Sequence, residues 1–376
     1  MASHTAVDRH RVAPPPKPAV ANTQYQTYFG YLHAHSGLSD GEGSALEAYV
    51  YARDEGELDF FALTDHGELL RIWPWERKWD ELRDAAAATY APGSYVTLWG
   101  FEWSNPILGH INVLNSSDHT DTVSNFGLRA FYNWITARPE AFGRYNHPGR
   151  QDDLFVEFLH LRLPASAVPQ MVGVETWNKD RSFDTFYYGG SWDLFNPFDD
   201  FSYWDAGNLR GWYLGTLGGE DNHDPNWGTR NDYRTAVLAE SLTREDIVDA
   251  YTRRRFYATE DKDLFLDFRV DGFPMGSRLI GQSQGRRQRS RFRLGVPPVF
   301  DVTASDASGD SFREVRLYRN GSLLATQAVS GNSIEASFSD TSPIGDAYYY
   351  VIVQQNDDGD ANGRNDEAIS SPIWIE

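Results

Sequence analysis

Residues 27–41 read TYFGYLHAHSGLSDG and place two histidines at the end of a short apolar run. The run predicts a β-strand, in which residues i and i+2 project from the same face. The side chains of His33 and His35 can therefore reach one metal ion. Asp40 follows shortly after, and imidazole with carboxylate suits zinc, iron or manganese better than calcium. This stretch predicts a strand that ends at a metal site.

The same pattern, an apolar run joined to a polar cluster, returns further along the chain. The recurrences are FALTDHG (61–67) with His66, WGFEW (99–103) with Glu102, GHINV (109–113) with His110, YNHPG (145–149) with His147, and GGEDNHD (218–224) with Asp221 and His223. In a (βα) barrel the carboxyl ends of parallel strands converge at one mouth, where active sites form. We therefore expect these distant side chains to meet. His119 and His160 lack such surroundings and are interpreted as surface or structural residues.

Alternation of strand and helix patterns predicts an α/β, barrel-like domain over residues 25–260. Residues 1–24, with three consecutive prolines, predict a disordered tail without the apolar segment of a signal peptide. Residues 261–376 contain short β-rich segments separated by turn residues and no long helical pattern. This second region predicts a small immunoglobulin-like β-sandwich.

The ordered motifs LHAHS, LSDG, TDHG, GHINV, NHPG and GEDNH, with a glutamate between the third and fourth, resemble the PHP (polymerase and histidinol phosphatase) superfamily. The resemblance covers roughly residues 25–260. It implies a distorted seven-stranded (βα) barrel and a metal-dependent phosphoesterase. The β-rich region that follows is similar to the branch that includes carbaryl-hydrolase-like metallohydrolases.

The family's three-metal pattern, carried over to this chain, implies nine metal ligands. His33, His35, Glu102 and Asp221 would hold the first ion, Glu102 would bridge to a second ion held by His110 and His147, and Asp40, His66 and His223 would hold a third. Many family members have histidine where this chain has Asp40, which puts the third ion in doubt, so we expect two to three divalent ions (Zn, Mn or Fe). The residues expected to be catalytic are His33, His35, His147, Asp221 and His223.

The function implied is hydrolysis of a small phosphate ester by metal-activated hydroxide. Phosphate usually requires a cation beyond the metals, and three arginines follow predicted strand ends: Arg150, Arg181 and Arg230. Each is also compatible with a surface ion pair. One alternative is a hydrolase that uses the same metals on a carbamate, amide or carboxylic ester. A second is a non-catalytic protein whose β-sandwich binds a partner.

The charge of the chain limits its partners. It has 34 Lys and Arg against 54 Asp and Glu, a formal net charge of −20, and no cysteine. So acidic a body repels phosphate backbones, and the basic cluster at residues 286–293 is interpreted as a solvated strand face, so we expect no nucleic acid partner. No apolar run is long enough for a membrane span. The oligomeric state and the compartment stay open, with an extracytoplasmic location slightly favoured.

Overall fold

The computed structural model describes eight parts of the chain. They are residues 20–71, 77–149, 156–162, 169–178, 202–280, 297–342, 345–356 and 365–376. The fold is mixed α/β, with a large curled sheet and a separate, smaller antiparallel sheet. The predicted tail, apart from residues 20–24, lies outside the described residues.

Nine strands of the large sheet come from the N-terminal two thirds of the chain. They are β1 (Gln26–Tyr31), β2 (Phe60–Leu63), β3 (Val96–Asn105), β4 (Gly109–Leu114), β5 (Phe142–Tyr145), β6 (Met171–Asn178), β7 (Gly215–Gly219), β8 (Arg234–Ala239) and β9 (Phe256–Thr259). The helices between them are α1 (Ala45–Asp54), α2 (Gly67–Leu70), α3 (Lys78–Thr89), α4 (Leu128–Thr136), α5 (Tyr203–Leu209) and α6 (Arg244–Thr252), with a 3₁₀ turn at Glu157–Leu161. Ser44 and Glu47 form a capping box at the start of α1.

These strands are ordered β9-β8-β1-β2-β3-β4-β5-β6-β7 across the sheet. The pairs β1–β2, β2–β3, β5–β6 and β6–β7 are parallel, whereas β3–β4 and β4–β5 are antiparallel. The expectation that the site is built only from the carboxyl ends of parallel strands is therefore wrong for His110. Only residues 106–108 connect β3 to β4, too few for a crossover helix, so β4 returns as a hairpin strand. His110, near the start of β4, consequently lies at the same edge as the other strand ends.

The curvature of the sheet brings its last strand, β7, back to the strands beside β1. The hydroxyl of Thr235 on β8 accepts a hydrogen bond from the amide of Gly218 (3.1 Å) and donates to its carbonyl (2.8 Å). The enclosed space is filled by apolar side chains from most of the nine strands, including Leu32, Leu98 and Leu217. Residues of α6 join this cluster.

The remaining strands follow residue 263. They are β10 (Leu264–Val270), β11 (Phe273–Pro274), β12 (Arg278–Leu279), β13 (Val299–Asp306), β14 (Phe312–Arg319), β15 (Ser322–Ala328), β16 (Ser333–Ser339), β17 (Ala347–Gln355), β18 (Glu367–Ser370) and β19 (Ile373–Ile375). The smaller sheet has the order β11-β10-β13-β16. Its strands β13 and β16 alternate exposed and buried residues, and the buried face shares one apolar cluster with β14 and β17.

The large sheet crosses the predicted domain boundary at residue 260. Strand β18 pairs with β9, with Ile369 opposite Ala258, and Thr216 of β7 donates to the carbonyl of Ile369 (2.5 Å). The two regions therefore share backbone hydrogen bonds as well as side-chain contacts. Among the described residues, no helix is long and apolar enough to cross a membrane.

Candidate metal centre

The two histidines of the opening motif follow β1 and point toward the same carboxylate. The Nε2 atoms of His33 and His35 each lie 3.2 Å from Oδ1 of Asp221, in the loop after β7. This loop is tied to the end of β1, because the amide of His35 donates to the carbonyl of Asn222 (2.8 Å). Both imidazoles are fully buried. The i, i+2 spacing thus directs both rings toward one point.

Glu102 on β3 occupies the middle of the site. Its Oε1 lies 3.1 Å from Nδ1 of His110, 3.3 Å from Nε2 of His33 and 3.5 Å from Nε2 of His147. Its Oε2 lies 3.6 Å from Nε2 of His35. Glu102 therefore belongs to two groups that could each hold a metal ion. One group contains His33 and His35, and the other contains His110 and His147.

A third cluster lies on the open side of the site. Nε2 of His66 is 3.4 Å from Oδ2 of Asp40, and Nε2 of His223 is 3.6 Å from Oδ1 of Asp40. His35 borders the same group, with Nδ1 3.6 Å from Oδ1 of Asp40. The carboxylate of Asp40 is about half exposed, with 47% of its side-chain surface accessible, whereas His35 is buried. This cluster is the part of the site that solvent reaches.

The charges of the site favour cations. Burial opposes charge on Glu102, but His110, His66 and His33 outweigh it and hold the pKa of Glu102 well below its usual range. Burial likewise opposes charge on Asp221, but His33 and His35 keep the pKa of Asp221 low. Burial lowers the pKa of His147 to about 4, so its ring is neutral at pH 7 and has a lone pair to offer. The carboxylates are thus charged and His147 is neutral, which is what metal ligation requires.

The donor atoms fit divalent cations. Nε2 of His33 and Nε2 of His35 are buried and have no hydrogen-bond partner among the described residues. Buried polar atoms are rarely left in this state unless an ion or water completes them. Imidazole nitrogen combined with carboxylate oxygen is the ligand set of zinc, iron and manganese. All nine sequence-predicted ligands lie in the clusters that could hold such ions.

Two of these residues have backbone conformations that are uncommon outside glycine. His147 has φ 27° and Asp221 has φ 46°, both in the left-handed region. Such strain persists where surrounding contacts impose it, and it concentrates at functional sites. The amide of His147 donates to Oε2 of Glu175 on β6 (2.8 Å), which fixes the backbone at this turn.

The sequence analysis did not identify Glu175 or its partner Arg144. Both are fully buried and form an ion pair behind the histidines. Burial lowers the pKa of Arg144 to about 10, so the guanidinium is still charged at neutral pH. A glutamate within the apolar strand MVGVETWN was the available signal, because a buried carboxylate requires a partner.

Asp65, noted in the sequence only as a neighbour of His66, holds the loop that carries Asp40. It accepts hydrogen bonds from the amide of Ser36 (2.9 Å) and from the hydroxyl of Ser39 (2.6 Å). His119 lies away from the clusters and packs against Trp79, with the ring centres 5.2 Å apart. This position agrees with the interpretation of His119 as a surface or structural residue.

Of the three arginines predicted to contact substrate, Arg150 and Arg181 lie outside the described residues, as does the basic cluster at 286–293. Arg230 donates to Oδ2 of Asp224 (2.9 Å) in the loop after β7. This ion pair matches the alternative that the sequence left open for each arginine, and contact of Arg230 with substrate stays a prediction.

The chain is similar in sequence to uncharacterized proteins of three Chlamydia species. No protein-family model matches it. An uncharacterized protein of Chlamydia pneumoniae is 23% identical over 389 aligned positions, covering 93% of this chain and 57% of that protein. Uncharacterized proteins of Chlamydia trachomatis and Chlamydia muridarum are each 27% identical over 154 positions, which cover 38% of this chain and 22% of theirs. The chain therefore spans only about half the length of the first of these relatives.

One similar solved structure is described as a two-domain protein containing a predicted PHP-like metal-dependent phosphoesterase, from Bacteroides vulgatus. It is 16% identical, has a TM-score of 0.49, and the alignment covers 91% of this chain and 95% of that one.

Proposed function

We propose that this chain is a metal-dependent hydrolase of the PHP type, which cleaves phosphate esters with two or three divalent cations. The observation that carries the proposal is the convergence of nine histidine and carboxylate side chains from six separate segments on one site, buried on its inner side and open at Asp40. In this proposal strands β1–β7 form the distorted barrel of that superfamily, and the strands after residue 263 form the appended β-sandwich.

The clusters suggest how the ions would be held. His33, His35, Glu102 and Asp221 would bind the first ion, and Glu102 would share the second with His110 and His147. The third would be bound by Asp40, His66 and His223, with His35 at its border. The half-exposed position of Asp40 makes the third ion the one that exchanges most readily.

Bound divalent ions would lower the pKa of a coordinated water toward neutrality and offset the negative charge of a phosphoryl group. The protein's own contribution is to hold the ligands in one arrangement before substrate arrives. Buried His33 and His35 keep bulk water away from the inner side of the site, while Asp40, His66 and His223 border the open side. Substrate therefore approaches from the side of Asp40.

The proposal is tested by metal analysis of the purified protein together with a panel of aryl phosphate mono-, di- and triesters and aryl carbamates. We expect two to three ions per chain and turnover of a phosphate ester. Alanine at His33, His147 or Asp221 should lower bound metal and abolish turnover, whereas His119→Ala, a histidine outside the clusters, should retain both.

The panel also separates the proposal from its rivals. Turnover of carbamates alone would replace the phosphate assignment with the carbamate alternative. Full activity after chelation and gel filtration would reject metal dependence. Metal-loaded protein that hydrolyses no ester would favour a binding protein.

A further inference from the structure

Glu175 lies directly behind the proposed metal ligands and contacts two of them. Its Oε1 is 2.8 Å from Nδ1 of His33, and its Oε2 accepts the backbone amide of His147 (2.8 Å). Nδ2 of Asn178 also donates to Oε2 (2.7 Å), and Arg144 forms an ion pair with Oε1. Glu175 and Arg144 are both fully buried. One carboxylate thus connects ligands that follow two different strands, β1 and β5.

The contact with His33 determines which ring nitrogen carries the proton. A charged carboxylate accepts hydrogen bonds only, so Nδ1 of His33 must be the protonated nitrogen. In the neutral ring that would bind a metal, the lone pair is then on Nε2, which faces Asp221 at 3.2 Å and Glu102 at 3.3 Å. A carboxylate behind a ligating histidine also makes the ring a stronger donor to the metal.

The contact with His147 acts on the backbone. At φ 27° this residue is in the left-handed region, which is unfavourable for residues other than glycine. The hydrogen bond from its amide to Glu175 stabilises that conformation. It thereby places Nε2 of His147 3.5 Å from Oε1 of Glu102.

We propose that Glu175, paired with Arg144, is a positioning residue of the metal centre: it sets the tautomer of His33 and the orientation of His147. The inference rests on the proposed function, because it concerns residues that would bind the metals. Arg144 supplies the positive charge that allows a third carboxylate to be buried beside Glu102 and Asp221.

Glutamine cannot replace Glu175 without conflict. Both oxygens of Glu175 face donors: His33 and Arg144 at Oε1, and the amide of His147 and Asn178 at Oε2. An amide has one oxygen and one NH₂ group, so one pair of these donors would face another donor. Glu175→Gln therefore changes few atoms but disturbs one of the two ligands.

The test measures cobalt(II) binding to chelator-treated wild type and Glu175→Gln, by competition with a chromophoric chelator and by visible absorption. We expect the dissociation constant of the tightest site to rise about 10–100-fold. The absorption bands should also change, because the ligand field at His33 or His147 is altered. Asp205→Asn makes the same chemical change at another buried carboxylate, which contacts Tyr348 and Tyr350, and should match wild type in both.

A second variant covers the case in which Glu175→Gln does not fold. Arg144→Met/Glu175→Leu replaces the ion pair with apolar side chains of similar length, so no unpaired charge is left buried. It should fold, as judged by circular dichroism, and still bind cobalt more weakly than wild type.

The outcomes distinguish the two proposals. Wild-type protein that binds no cobalt would overturn the proposed function and this inference with it. Wild-type protein that binds cobalt, with variants of equal affinity and identical absorption bands, would overturn the inference alone.

Discussion

Asp205 is a buried carboxylate outside the metal centre, and we predict that it makes folding stability depend on pH. It lies in α5 and contacts the β-rich region: its oxygens accept hydrogen bonds from Tyr348 (2.9 Å) and Tyr350 (3.3 Å). Burial is the largest influence and raises the pKa of Asp205 from 3.8 to about 6, although the hydrogen bonds oppose it. The folded protein therefore holds this proton more tightly than the unfolded chain does.

The sign of the effect follows from that difference. Below about pH 3.8 the carboxyl is protonated in both states, and its contribution to stability is fully present. As pH rises through about 6 the folded protein must ionise a buried group, and the contribution is lost. A difference of this size corresponds to about 3 kcal/mol in full, of which about 2 kcal/mol is lost between pH 4 and pH 7.5.

The assay is urea unfolding followed by circular dichroism at several pH values, on chelator-treated wild type and Asp205→Asn. The stability of the variant relative to wild type should rise by about 2 kcal/mol from pH 4 to pH 7.5, because the amide has no proton to lose. Tyr348→Phe removes a hydrogen-bond donor to the carboxylate of Asp205. It should therefore steepen the pH dependence of the free energy of unfolding. Parallel curves for wild type and Asp205→Asn would refute the reasoning.

Three further predictions concern the metal centre and the sheet. Glu102→Gln should lower bound metal by two ions, because Glu102 belongs to two clusters; elemental analysis with a wild-type count would contradict this. Asp40→Ala should lower the same count by no more than one ion, since Asp40 belongs to a single cluster. Gly30→Ala should lower the free energy of unfolding by about 3 kcal/mol or more in a thermal unfolding experiment, because the added methyl group would overlap the carbonyl of Phe60. In the control variant Gly127→Ala the methyl group meets no atom within 4 Å, so the free energy of unfolding should be nearly unchanged.

The sequence predicted the members of the site because each stands where an apolar run meets a polar cluster. The spacing of His33 and His35 is sufficient on its own to place two rings on one side of a chain segment. The sequence pattern does not specify the direction of each strand. The structure brings His110 to Glu102 and His147 from the first residues of β4, because this strand runs opposite to β2 and β3.

The residues behind the ligands were harder to predict. Arg144 and Glu175 are each a single charged residue within an apolar strand, separated by thirty positions in the chain. Only the three-dimensional structure reveals that they form a pair, because strand pairing between β5 and β6 brings them together. The pairing of β18 with β9 was equally inaccessible, since neither segment has a pattern that specifies its neighbour.

The solvent exposure of the candidate ligands differs between the two sides of the site. His33, His35, Glu102 and Asp221 are nearly inaccessible, while His66, His110 and His223 keep between 16% and 25% of their side-chain surface. The buried members are also those whose positions are fixed by further buried contacts, through Glu175 and the bond from His35 to Asn222. The inner side chains are therefore shielded from bulk solvent and held by further hydrogen bonds, whereas the outer ones are open to solvent. In the hydrolase that we propose, this division would let the inner ligands hold their arrangement while water and ester enter and product leaves on the outer side.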